Sequence, residues 1–266
     1  MTGSLWASVG FAVFLWWFLT GAIMLAVRLA DRLGQQAPLG LTVLSLPLLF
    51  GGCLLVGLSL SDPTVPGVYL GFLGALAIWG WMELAFLTGV IAGWQRADCP
   101  PDLTGWDRFQ RAFATVGYHE LLLAVGALVL TLASAGTENR MALAVFLILF
   151  LARITAKLNL FLGVPRINTE FLPARLTHLK TYFRRGAVTW MFPLAITILT
   201  ALLAVCAERL WGAQTLAPKT GYALLTALAA LALIEHWLMV IPLPDAKLWA
   251  WMLPAKTKTK GDEHGL

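Results

Sequence analysis

The sequence predicts an all-α fold, a polytopic integral membrane bundle of about seven transmembrane helices. Three observations carry this. Only 12% of the 266 residues are charged, about half the roughly 25% of an average soluble domain. Apolar runs near 20 residues recur along the chain, each able to cross about 30 Å of hydrocarbon at about 1.5 Å per residue. No stretch shows the roughly ten-residue alternation of a membrane β-barrel strand. The composition (59% hydrophobic, mean hydropathy +0.78) leaves little chain outside the membrane. The net charge of +5 is no nucleic-acid signal, because the cations sit in short loops beside apolar segments, where membrane topology explains them.

Taken in order, seven segments are expected. Leu5–Val27 has no basic stretch before it and no A-x-A cleavage site, so it reads as a retained helix and not a signal peptide. Leu39–Leu60 follows as an uninterrupted apolar span. Gly67–Gly93 carries Gly67, Gly71, Gly74, Gly80 and Gly89. Small residues at helical spacing let backbones approach closely in lipid, which puts this helix in the middle of the bundle. After a polar, proline-broken loop, Phe109–Ser134 carries His119 and Glu120. Met141–Gly163 carries Arg153, Lys157 and Asn159 and leaves through Gly163 and Pro165. Val188–Glu208 is apolar, and Pro218–Ile241 carries Glu235 and His236 near its end. Residues 1–247 thus form one transmembrane domain, with cytoplasmic loops 94–108 and 164–187, and residues 248–266 form a basic cytoplasmic tail.

The orientation follows from the cations. With the N-terminus outside, Arg28, Arg32, Arg96, Arg108, Arg111, Arg166, Arg175, Lys180, Arg184, Arg185 and four tail lysines fall on the cytoplasmic side. Arg140, Arg209 and Lys219 fall outside. A division of fourteen to three is a positive-inside signal, and it holds only for an odd number of spans. The C-terminus is therefore expected in the cytoplasm.

The chemistry lies in the ionisable residues within the spans. Glu83, His119, Glu120, Arg153, Lys157, Glu235 and His236 come from four segments. The expected topology puts all seven at one depth, in the cytoplasmic half of the membrane. Intramembrane charges are costly and mark functional sites by default. Three readings of this layer stand. It is an ion-pair network, with Arg153 and Lys157 at i,i+4 clamping carboxylates. Or it is a transition-metal site drawn from Glu83, His119, Glu120, Glu235 and His236. The adjacent pairs His119–Glu120 and Glu235–His236 chelate poorly from one helix, however, and two nearby cations oppose a dication. Or a histidine ligates a tetrapyrrole metal. Transport finds no support in repeat symmetry or paired broken helices.

Below the layer, Glu170, Arg175, His178, Lys180, Arg184 and Arg185 form a basic cytoplasmic collar. Leu176, Leu179 and Phe183 fall on one helical face there, as in an interfacial amphipathic helix meeting anionic lipid or a partner, with His178 solvated. Cys53, Cys99 and Cys206 share no metal or redox spacing. No phosphate loop, nucleophile elbow, zincin motif or DNA-binding pattern occurs.

Several motifs together resemble a known family. They are Leu151–Pro165 (LARITAKLNLFLGVP), Glu170 to Pro173 (EFLP), His178 to Lys180 (HLK), and Tyr182 to Arg185 (YFRR). Trp81–Gly89 (WMELAFLTG), His119–Glu120, Glu235 to Trp237 (EHW) and Pro242 to Asp245 (PLPD) extend the match. The chain resembles the photosynthetic complex assembly protein 2 family, the PuhE-like proteins of purple phototrophic bacteria. The resemblance implies a multi-pass protein of the inner or intracytoplasmic photosynthetic membrane, whose genes travel with that of the reaction-centre H subunit. It implies a role in assembling reaction-centre or light-harvesting complexes, or in supplying bacteriochlorophyll, with those components or other assembly factors as partners. It supplies no catalytic residue. The leading expectation is thus a non-enzymatic assembly factor. The competing one is a membrane metalloenzyme acting on a tetrapyrrole or lipid through the Glu/His layer.

Overall fold

A computed structural model describes residues 2–169 and 172–242. All regular structure among the described residues is helical. The elements are α1 (Thr2–Leu33), α2 (Ala37–Leu44), α3 (Leu46–Ser59), α4 (Val65–Leu87), α5 (Gly105–Ala133), α6 (Met141–Leu162), a 3-10 segment (Ala174–Tyr182), α7 (Met191–Gly212) and α8 (Leu216–Leu238). Seven spans are long and apolar enough to cross a membrane, with α2 and α3 together making the second.

The second span breaks where the sequence suggested continuity. Pro47 stands at the start of α3. It has no N–H to donate and crowds the residue before it. The chain re-enters helix through a turn in which Leu48 N–H bonds Ser45 O at 2.9 Å.

α4 is the central helix, as its glycines suggested. Two-thirds of its membrane window is buried, more than in any other span. It touches α1, α3, α5, α6 and α8. Gly52 of α3 and Gly74 of α4 meet backbone to backbone, and a Cβ on either would lie 2.9 Å from the other's carbonyl oxygen. Phe72, Ala75, Met82 and Ala85 pack from α4 against Leu123, Val145, Phe146, Leu224 and Leu228 of the surrounding helices.

α4 stops at Leu87 rather than running on to Gly93. Gly89 takes φ +70°, a conformation most side chains resist, and turns the chain back. Residues 90–95 then run against the side of α5. Ala92 O accepts the His119 amide at 2.9 Å, and Gln95 N–H donates to Ala114 O at 3.1 Å. Non-helical backbone inside a membrane domain is tolerated where protein satisfies it. Gly93 permits this contact, because a Cβ there would lie 2.1 Å from Ala114 O.

The segment after α6 also departs from expectation. It forms a 3-10 helix, not an interfacial α-helix. Leu176, Leu179 and Tyr182 are buried, a spacing of three that matches three residues per turn. Leu176 and Leu179 pack on Phe86 and Ala92, so the segment plugs one end of the bundle. Loops 34–36, 88–104 and 163–190 gather at that end, tied by Ala174 N–H to Asp31, Cys99 N–H to Thr181 and Tyr182 O–H to Ala97 O.

Candidate functional site: a charged layer beside a large cavity

Glu83 and Phe86 stand one turn apart on α4, at the heart of the predicted layer. The Arg153 guanidinium, from α6, donates to Glu83 at 2.9 Å. The His119 Nε2, from α5, lies 3.5 Å from the other Glu83 oxygen. One turn further along α6, the Lys157 ammonium pairs with the Glu120 carboxylate of α5. The Phe86 ring lies among these groups, with its centroid 4.4 Å from that of the His119 ring, 5.5 Å from the Arg153 guanidinium carbon and 5.1 Å from the Lys157 nitrogen. Each cation therefore has one carboxylate and a shared aromatic face, so that neither cation is left bare in a low-dielectric layer.

Two of the predicted members stand apart. His236 is fully engaged: its Nε2 meets the Thr155 hydroxyl at 2.9 Å and its Nδ1 meets Ala232 O at 2.8 Å. It ties α8 to α6. Asn159 is completely buried, and neither its amide nitrogen nor its side-chain oxygen has a partner. Glu235 stays at the layer and has no ion pair among the described residues. Its neighbours are the hydrogen-bonding Trp16 indole of α1 and the Arg153 charge.

Beside the layer lies a cavity of about 1140 Å³. Glu83, Glu120, Arg153, Lys157 and Glu235 all reach its wall, which is otherwise mainly apolar and rich in aromatic side chains. Trp94, Phe113 and Leu121 line it and are also exposed, so it opens on the α5 side of the bundle. Neither His119 nor His236 lines it. Among the described residues, no three His, Cys, Asp or Glu side chains come together as a metal-binding group. Among the described residues, Glu83 and Glu120 are committed to cations rather than to a shared metal point, and no imidazole lines the cavity. The cavity itself exceeds the roughly 300–1,000 Å³ of ordinary small-molecule pockets, and so suits a large amphiphile.

The collar differs from a free basic surface. Arg175 donates to Gln35 O and Arg185 donates to Ile167 O at 3.1 Å. Outside the predicted collar, Arg96 donates to Gly89 O at 2.9 Å, and Arg108 reaches Tyr182 O at 2.5 Å and Phe161 O at 3.3 Å. These arginines satisfy carbonyls where helices end or turn, which is why cations cluster at helix C-termini. Lys180 and Arg184 stay exposed. His178 is buried, not solvated, because the 3-10 turn directs it inward, and its Nε2 has no partner. Burial and the nearby Arg96 hold its imidazole below the usual histidine range. Glu170 lies outside the described residues. The sequence carried no signal for Phe86, Trp16 or the folded-back residues 90–95 as parts of the site, since nothing in an apolar run marks which aromatic side chain will meet a charge.

With this geometry in view, comparison places the chain. It matches over residues 2–260 the family described as Protein of unknown function (DUF3623). The chain belongs to this family. This DUF3623 chain is also 49% identical over 244 residues to a Rhodobacter capsulatus protein, a match covering 91% of this chain and 89% of that relative. The relative's name is "Uncharacterized 30.4 kDa protein in puhA 5'region". No solved structure matches the DUF3623 chain.

Proposed function

We propose that this protein is an integral membrane assembly factor for the photosynthetic apparatus, and that it holds a bacteriochlorophyll or a late precursor on its way to reaction-centre or light-harvesting complexes. The cavity is the observation that carries this reading. It is large, aromatic-walled and open on one side of the bundle, with Glu83, Glu120, Arg153, Lys157 and Glu235 on its wall. That is the shape and chemistry of a site for a flat macrocycle with a few oxygen substituents and a long apolar tail. The family context points the same way. The motifs resemble the PuhE-like assembly proteins, and a 49% identical relative is named for the puhA 5' region. The bundle end holding loops 88–104 and 163–190 faces the cytoplasm in this reading, from the distribution of cations.

A deletion strain tests the proposal. Reaction-centre and light-harvesting absorption bands should fall in membranes of the deletion strain, and a plasmid copy should restore them. Complexes that assemble at wild-type level and rate without the protein would overturn it. The metalloenzyme alternative gains no specific support, since the carboxylates at the layer meet cations and not a shared vacant point.

A further inference from the structure

We infer that the cavity takes an electrically neutral amphiphile, an esterified macrocycle rather than its free acid, and that Glu235 enforces the choice. The inference rests on the cavity reading above. Its basis is the charge inventory of the wall. Arg153 is already neutralised by Glu83, and Lys157 by Glu120. Arg166, a third cation on the wall, donates to the carbonyls of Leu238 at 3.3 Å and Ile241 at 2.5 Å. The wall's third carboxyl, Glu235, has the Arg153 charge and the Trp16 indole as neighbours but, among the described residues, no ion pair of its own.

A ligand carboxylate entering this space would find both mid-depth cations taken. It would also lose its hydration beside Glu235. Burying a charge without a counter-ion is costly, and like charges brought together cost several kcal/mol. A neutral oxygen fares differently. A keto or ester oxygen adds no charge and so escapes the cost that a carboxylate meets there. Beside Glu235 the wall therefore admits a neutral oxygen and repels an anion, and selectivity of this kind comes from the repulsive element.

The test uses the full-length protein in detergent micelles with two probes, bacteriopheophorbide a (one free propionate) and its methyl ester. Binding is read as quenching of tryptophan emission, since Trp16, Trp79 and Trp94 line the cavity. The ester should bind more tightly than the acid. Because each probe partitions into micelles to the same extent whichever variant is present, the decisive quantity is how the acid-to-ester ratio changes. Glu235→Gln should improve relative acid binding by on the order of tenfold, and Glu235→Asp should leave the ratio near wild type. If neither variant folds, wild-type protein still decides. A cationic aminoethyl amide of the same macrocycle should then bind more tightly than the acid. Binding of both probes with a ratio unmoved by Glu235→Gln, or an amide no tighter than the acid, overturns this inference and leaves the macrocycle reading standing. Quenching by neither probe in wild-type protein overturns both.

Discussion

Glu120 and Lys157 make the plainest case at the scale of single residues. Each is a charge on an apolar helix, and each is tolerable only because the other is there. Lys157→Met should therefore lower stability by on the order of 3 kcal/mol, since it strands a buried carboxylate. The double variant Lys157→Met, Glu120→Leu should recover most of that loss. Thermal unfolding in lipid nanodiscs would check both, and an additive double variant would refute the pairing. His178 supplies a pH prediction. Burial, then Arg96, keep its imidazole neutral in the fold. The unfolded chain takes up a proton as pH falls through about 6.5, whereas the folded chain resists, so stability is full above that pH and declines below it. Hydrogen exchange of residues 172–183 should therefore speed up between pH 7.5 and 5.5 relative to the rest of the bundle. His178→Gln should flatten that response. The sequence showed which residues were ionisable and which spans carry them. It did not show that His236 would spend both ring nitrogens inside the bundle, because Thr155 and Ala232 look like any other apolar-run residues.

At the scale of elements, the seven spans were legible because hydrophobic length is a one-dimensional property. The irregular pieces were not. The turn at Gly89, the contact of residues 90–95 with α5 and the 3-10 segment all depend on distant surfaces. Pro47 was visible in the sequence, yet the span on either side of it is apolar enough to read as continuous. These pieces carry an element-scale prediction. Gly93→Ala should destabilise the protein by about 1–3 kcal/mol, because its Cβ would press into the α5 backbone at Ala114 and Thr115. Gly57→Ala, in open space on α3, should leave stability unchanged or slightly raised. A loss of similar size at both positions would show that residues 90–95 do not pack on α5 in this way.

For the whole molecule, the distribution of cations and the folded bundle agree on one point: the loops carrying most of the arginines share an end. A fluorescent-protein fusion at the C-terminus should be bright, and an alkaline phosphatase fusion there inactive. The reverse pattern would invert the proposed orientation. The sequence by itself determined the helical class, the number of apolar spans and which spans carry charge. Those follow from hydrophobic length and from the cost of charge in lipid, both of which act on each helix separately. Only the tertiary structure decided which charges pair, that Arg175 and Arg185 of the collar bond backbone carbonyls, and that a cavity of about 1140 Å³ stands beside the layer. The reason is physical. Pairing and cavity shape depend on how far each helix is rotated and how closely it approaches its neighbours, and those quantities belong to the contacts between helices rather than to any one of them.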